Sequence, residues 1–152
     1  MTRINRTAAK ATLLLALLVG PVAWLVSCGG PAPGSGVGGD GEFRADVYAA
    51  IAEIERRGLG EWAAYGRGMV ERIVYDPGAA DGGDRGATTV WLVGEHDTIV
   101  VIYLGDKWAA KEGAGRGEVL LHELLKASWP VGEQDQAEAA WPALQTQYRD
   151  GE

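Results

Sequence analysis

The stretch TTVWLVGEHDTIVVIYL, residues 88–104, decides the fold because it reads as two strands joined by a short polar turn. Residues 88–93 and 98–104 are rich in β-branched and aromatic side chains, and Gly-Glu-His-Asp separates them. Two such runs around a short turn that contains glycine are typical of a β-hairpin. The second run is apolar without alternation, so we expect a strand that is covered on both faces.

Upstream of the hairpin, the chain shows one helix and one further strand. Apolar residues recur at helical spacing over residues 44–57, and Gly58 stands where a left-handed C-terminal cap belongs. A further helical turn is expected around Trp62 and Tyr65, and residues 69–75 predict a strand. The sheet therefore has three strands, which we expect to be antiparallel.

Downstream of the hairpin, two leucine- and alanine-rich segments predict helices. Residues 117–127 place four leucines in one stripe, and residues 137–148 repeat apolar side chains at helical spacing. Pro142 lies inside the second segment, so we expect a kink or a division into two short helices. The predicted fold class is α+β, with an N-terminal helix, a three-stranded antiparallel sheet and two C-terminal helices.

The N-terminus has the layout of a signal peptide. Residues 1–10 carry three basic side chains and no acidic one, and residues 11–26 are almost wholly apolar. This apolar run is shorter than the roughly 20 residues that a membrane-spanning helix needs, and it contains Pro21. The run ends in Leu25-Val26-Ser27-Cys28, and Cys28 is the single cysteine of the 152-residue chain.

These four residues resemble the lipobox of bacterial lipoproteins, which consists of an aliphatic residue, a tolerant position, a small residue and cysteine. The resemblance covers residues 1–28 only. It implies that the Cys28 thiol receives a diacylglyceryl group, that a peptidase cuts before Cys28, and that fatty acyl chains anchor the mature protein in the membrane. Two alternatives stay open, namely an uncleaved membrane anchor and an ordinary signal peptide that is cut elsewhere.

The resemblance also implies a location in the bacterial cell envelope. Gly29 follows Cys28, where many two-membrane bacteria use an aspartate to retain lipoproteins at the inner membrane. We therefore favour the outer membrane, facing the periplasm, over the inner membrane.

Composition divides the remaining chain into a tether and one domain. Residues 28–42 consist mainly of Gly, Pro, Ser and Ala and contain too little apolar surface to offset the entropy of ordering, which predicts a flexible tether. Residues 43–152 form the predicted domain. Three of the 14 basic residues precede Cys28, so 11 basic and 21 acidic residues follow it, for a net charge of −10. Such a charge disfavours nucleic acid as a partner.

The sequence HELLK at residues 122–126 is the nearest approach to a catalytic motif. Zinc hydrolases of the HExxH type place two histidines one helical turn apart, and here the second position is Lys126. A lysine ammonium has no lone pair for a metal, so His122 and Glu123 are weak metal candidates. A helical wheel places His122 and Lys126 opposite the leucine stripe, which predicts a solvated face.

Tryptophan is the other residue type that points to a site. The domain contains five tryptophans, of which Trp91 and Trp141 lie in apolar patterns and are expected in the core. Trp62, Trp108 and Trp129 lie near element ends and form the candidate binding surface for sugar rings or a protein partner. The alternative is that these three rings are buried and cover the ends of the hydrophobic core.

No nucleophile with a partner base, phosphate-binding loop or cysteine–histidine cluster can be assembled from the sequence, and no cofactor is expected. An enzyme is therefore disfavoured. We expect a non-catalytic binding or accessory module that is anchored through lipid on Cys28 and meets an envelope protein or the cell wall. Two alternatives are a metal-dependent hydrolase centred on His122 and Glu123, and an immunity- or inhibitor-type lipoprotein whose acidic domain neutralises a basic partner.

Overall fold

The computed structural model describes residues 40–78 and 86–151, which form a three-stranded sheet and a set of helices. The predicted signal peptide, Cys28 and residues 28–39 of the predicted tether lie outside the described residues. Residues 40–42, which the prediction assigns to the tether, instead form the N-cap and the start of the first helix. In chain order the elements are α1 Gly41–Arg56, α2 Gly60–Met69, a 3₁₀ turn Val70–Arg72, β1 Ile73–Tyr75, β2 Ala87–Val93, β3 Thr98–Leu104, the short α3 Asp106–Ala109, α4 Gly113–Ala127 and α5 Gln134–Asp150.

Helix α1 has a capping interaction at each end. The Asp40 carboxylate accepts a hydrogen bond of 2.9 Å from the backbone N–H of Phe43, which satisfies one of the free donors of the first turn. At the other end, Gly58 has a φ of 79°, and the N–H of Leu59 bonds to the carbonyl of Ile54. This is a Schellman motif, so the predicted glycine cap at residue 58 is confirmed.

The sheet is mixed rather than antiparallel, which corrects the sequence-based expectation. Its order is β1-β3-β2, with β2 and β3 antiparallel and β1 parallel to β3. The predicted hairpin is confirmed, since the N–H of Gly94 bonds to the carbonyl of Asp97 at 2.7 Å across the turn. The hairpin connection determines that β2 and β3 are antiparallel. It does not determine the direction of β1, which pairs with the other edge of β3 and runs parallel to it.

The two faces of the sheet are not equally covered. Ile102 and Leu104 lie on one face of β3 and are fully buried, whereas Val101 and Tyr103 on the other face are half-buried. The expectation that β3 is fully covered on both faces is therefore wrong. Helix α4 packs against β2 and β3 and covers the buried face.

Helix α4 is the centre of the domain. It contacts α1, α2, α3 and α5 as well as the two longer strands, and nine of its 15 residues are buried. Since neighbours contact this helix on several sides, more of its surface is buried than the single leucine stripe predicts.

The predicted helices are displaced or extended by up to four residues at their ends, and two helices differ from their predictions in more than their ends. Helix α2 has ten residues instead of one turn, and it includes Met69, which the sequence assigns to a strand. Helix α5 runs unbroken through Pro142, so the alternative of two short helices is wrong. The structure thus has α2 and the short α3 in addition to the predicted helices.

Candidate functional site

A buried polar cluster on α4 is the most unusual chemical feature of the described residues. His122 and Glu123 are only 3% and 1% exposed, although both side chains are polar. This contradicts the prediction of a solvated face. The physical reason is that α5 covers the side of α4 that lies away from the leucine stripe, and β2 brings Thr89 to the same place.

The carboxylate of Glu123 is held by three groups. The hydroxyl of Thr89 donates to Oε2 at 2.5 Å, and Nδ1 of His122 lies 3.2 Å from Oε1. The ammonium of Lys126 lies 3.6 Å from the same Oε1. A buried carboxylate is tolerated when such partners compensate for its lost hydration.

These contacts shift the ionisation of Glu123. Burial acts to raise the pKa, but the hydrogen bond from His122, the charge of Lys126 and the hydrogen bond from Thr89 act in the opposite direction and together lower the pKa of Glu123. The carboxylate is therefore ionised at neutral pH, and its negative charge is compensated inside the domain.

The imidazole of His122 bridges two carboxylates. Its Nδ1 faces Glu123, and its Nε2 lies 3.2 Å from a carboxylate oxygen of Glu138. A neutral ring donates to only one of them, whereas an imidazolium donates to both. The ring of Trp141 packs edge-on against the imidazole, with centroids 4.7 Å apart.

This geometry does not fit a zinc site. Both ring nitrogens of His122 are engaged by carboxylates, and the ammonium of Lys126 lies within 3.7 Å of both Glu123 and Glu138. A metal ion at this point would have to displace that ammonium, which itself supplies the compensating positive charge. Within residues 40–78 and 86–151, no three His, Cys, Asp or Glu side chains are arranged to hold a metal ion.

The three candidate tryptophans occupy different environments. Trp108 is fully buried, and its indole N–H donates to the carbonyl of Arg116 at 3.1 Å, while Trp62 is 7% exposed and packs edge-on against Tyr65. These two rings belong to the core, which corrects their interpretation as a binding surface. Trp129 is half-buried and is the one of the three that retains appreciable exposed surface.

The two tryptophans expected in the core also differ. Trp141 is 6% exposed, as predicted, whereas Trp91 is only half-buried. Trp141 also contacts the polar cluster, because its ring packs against the imidazole of His122.

A surface pocket of about 200 Å³ opens between α4 and α5 next to this cluster. Its floor consists of three buried side chains, which are those of Val119, His122 and Trp141. Its rim is half-buried and polar and consists of Lys111, Gly115, Glu118 and Gln145. A floor that is mainly apolar, here through Val119 and Trp141, with a few polar groups around it is the usual arrangement of a small-molecule site.

Sequence reasoning missed several residues of this site. The sequence predicts only that Thr89 lies in a strand and that Glu138 and Gln145 lie in a helix. Their positions follow from the packing of β2 and α5 against α4, which no local pattern encodes. One sequence signal could have indicated part of the site, because Trp141 and Gln145 are four residues apart and therefore lie on one face of a helix.

The described residues contain no helix with both the length and the hydrophobicity that a bilayer span requires. Comparison of the chain with protein-family models, curated proteins and solved structures found no match.

Proposed function

We propose that this chain is a bacterial lipoprotein whose domain is a non-catalytic binding or accessory module. The observation that carries the proposal is the sequence Leu25-Val26-Ser27-Cys28, which follows a basic start and an apolar core at the distance of a lipoprotein signal peptide. Residues 1–27 are then removed, and Cys28 carries the lipid. Two or more acyl chains give stable anchoring, because each buried methylene contributes about 0.8 kcal/mol.

The proposed location is the outer membrane on its periplasmic side, because Gly29 rather than aspartate follows Cys28. The Gly- and Pro-rich residues after Cys28 would let the domain reach partners away from the membrane surface. An envelope protein or the cell wall is the proposed partner.

The chemistry of the polar cluster supports a binding role over a catalytic one. A general base must reach the proton that it removes. Glu123 is 1% exposed and is already engaged by Thr89, His122 and Lys126, so it does not reach a bound substrate. The pocket beside the cluster offers a concave, partly apolar surface instead.

One observation favours a second candidate, an inhibitor-type lipoprotein that binds a basic protein. A pocket of about 270 Å³ is lined by Asp40, Glu42 and Asp46, together with Phe43 and Tyr75. Asp46 pairs with Arg116 at 2.6 Å and Asp40 caps α1, so Glu42 is the one of the three carboxylates with no ion pair or capping contact among the described residues. Lysine and arginine side chains are attracted both to carboxylates and to aromatic faces. Recovery of one basic envelope protein by crosslinking, lost on changing Glu42 to Gln, would favour this candidate.

The experiment that tests the main proposal is metabolic labelling with an alkyne-tagged fatty acid. The wild-type chain should incorporate the label and fractionate with membranes, whereas Cys28→Ala should not incorporate it. Ser27→Ala is the matched control, because it keeps a small residue at the cut and should be labelled normally. Equal labelling of the Cys28→Ala variant would reject the proposal.

A further inference from the structure

We propose that the pocket between α4 and α5 binds a single sugar residue that carries a carboxylate group. The inference rests on the proposed function as a binding module and names the class of ligand. Four features of the pocket support it, namely its size, the ammonium of Lys111 that is unpaired among the described residues, the acceptors at its rim and the glycine at position 115.

The size and floor of the pocket suit one ring. Pockets for drug-sized ligands measure about 300–1,000 Å³, so 200 Å³ corresponds to a smaller ligand. Trp141 and Val119 provide an apolar floor, and the two nitrogens of His122 face the carboxylates of Glu123 and Glu138. A sugar ring has an apolar C–H face for such a floor and hydroxyl groups at its edge.

The ammonium of Lys111 provides the charge that recognises a carboxylate. In the part of the chain that the structure describes, this ammonium has no carboxylate or carbonyl partner. The stem of Lys111 lies on Gly115, and its side chain is half-buried at the rim. A partly desolvated ammonium binds an anionic group more strongly than a neutral hydroxyl.

The opposite rim is arranged to accept hydroxyl protons. Glu118 accepts hydrogen bonds from Gln145 at 2.6 Å and from Arg149 at 2.7 Å, so its charge is compensated. Because the amide nitrogen of Gln145 is used in this way, its carbonyl oxygen remains to accept. That oxygen has no donor among the described residues. Hydroxyl groups of a sugar supply such donors.

Gly115 is the most specific observation. Glycine costs about 1 kcal/mol relative to alanine in the interior of a helix and less in the first turn, where Gly115 is the third residue of α4. Gly117 has a packing reason, because a Cβ there would collide with the hydroxyl of Tyr148. Gly115 has no such reason, since a Cβ there would meet the Lys111 side chain only at ordinary contact distances of 3.5 to 4.0 Å. Its absent side chain instead leaves the rim of the pocket open.

The test is a titration of the full chain in a detergent without a sugar headgroup, monitored through the indole N–H resonance of Trp141. Glucuronate is compared with glucose, and N-acetylmuramic acid with N-acetylglucosamine, so that each acid has a neutral counterpart. A response to N-acetylmuramic acid alone points to cell-wall glycan whose muramic carboxylate is free of peptide, and a response to glucuronate to an acidic polysaccharide. We expect saturable binding of at least one acid at millimolar concentrations.

Three variants complete the test. Lys111→Gln should weaken binding about tenfold, because it removes the charge-assisted contact. Gly115→Ala should weaken binding about tenfold by narrowing the rim, although it should stabilise the helix. Gly113→Ala is the matched control, because it makes the same change in the same helix outside the pocket and should bind like the wild type.

The inference fails if neither acid binds, if the neutral sugars bind equally well, or if Lys111→Gln and Gly115→Ala bind like the wild type. None of these results affects lipid attachment at Cys28, which the fatty-acid labelling tests separately.

Discussion

Replacement of Glu123 by glutamine tests how the buried cluster contributes to stability, and Glu138 offers a matched control. Both carboxylates lie 3.2 Å from a ring nitrogen of His122, and they lie 3.6 Å and 3.7 Å from the ammonium of Lys126. They differ in exposure, because the side chain of Glu123 is 1% exposed and that of Glu138 is 48% exposed. The pair therefore separates the effect of burial from the effect of contact geometry.

We expect Glu123→Gln to lower the free energy of unfolding by about 2–3 kcal/mol, since a buried charge-assisted network is lost. For a domain of this size the midpoint of thermal unfolding should fall by roughly 10 °C. Glu138→Gln should change the free energy of unfolding by less than about 1 kcal/mol, because solvent screens an exposed ion pair.

The assay is urea unfolding at neutral pH, followed by tryptophan fluorescence and by circular dichroism. The free energies can be compared if the two probes give the same unfolding transition and if the dependence of the free energy on urea concentration is the same in both proteins. An equal or larger loss for Glu138→Gln would show that burial does not determine the contribution of Glu123, and the reasoning would be refuted.

The same variant has a pH signature. The pKa of Glu123 is lower in the folded domain than its ordinary value of 4.5, so this group stabilises the fold above that value. The contribution is lost as the pH falls through the folded pKa. The difference in stability between wild type and Glu123→Gln should therefore shrink as the pH is lowered below about 4.5. A difference that grows on acidification would contradict this account.

The remaining predictions concern α1, α4 and the core. The hydrogen bond from Arg56 outweighs the effect of burial and lowers the pKa of Glu53 to about 2. The ionised carboxylate therefore stabilises the wild type above pH 4.5, and this contribution is lost between pH 4.5 and 2. Glu53→Gln should lack this contribution at neutral pH, so acid unfolding should show a smaller loss of stability over that range. In urea unfolding, Gly117→Ala should cost about 1–3 kcal/mol through its clash with α5, whereas Gly113→Ala should be neutral or stabilising. Trp108→Ala should cost about 3–5 kcal/mol, because its ring is fully buried, and a loss below about 1 kcal/mol would contradict that placement.

Local patterns in the sequence predicted the elements that depend on local interactions. The cap at Gly58 follows from its left-handed backbone conformation, and the turn at residues 94–97 follows from turn chemistry and strand spacing. The leucines of α4 were also assigned correctly to a buried helix surface.

Features that depend on the packing of distant elements were not predicted. The parallel pairing of β1 with β3 joins segments that are not consecutive strands of the chain, because β2 lies between them in sequence, and no local pattern specifies which edge of β3 receives β1. Helix α2 was underestimated because Gly66 lowers helix propensity. In the structure Gly66 is buried, and a Cβ there would lie 3.1 Å from a Leu124 side-chain carbon, so the glycine allows α2 to approach α4 closely.

The candidate site was mislocated for a similar reason. A helical wheel treats a helix as having one buried side, and this placed His122 in solvent. Helix α4 has neighbours around most of its surface, so His122 and Glu123 are buried between α5 and β2. Only the packing of three elements reveals that the charge of Glu123 is compensated inside the domain.

The measurement that tests the central claim most directly is mass spectrometry of the N-terminal peptide of the protein extracted from membranes. The account predicts a mature chain that begins at Cys28 and carries a diacylglyceryl thioether on its sulfur. An N-terminal peptide with residues 1–27 still attached, or a free Cys28 thiol in a chain cut elsewhere, would contradict it.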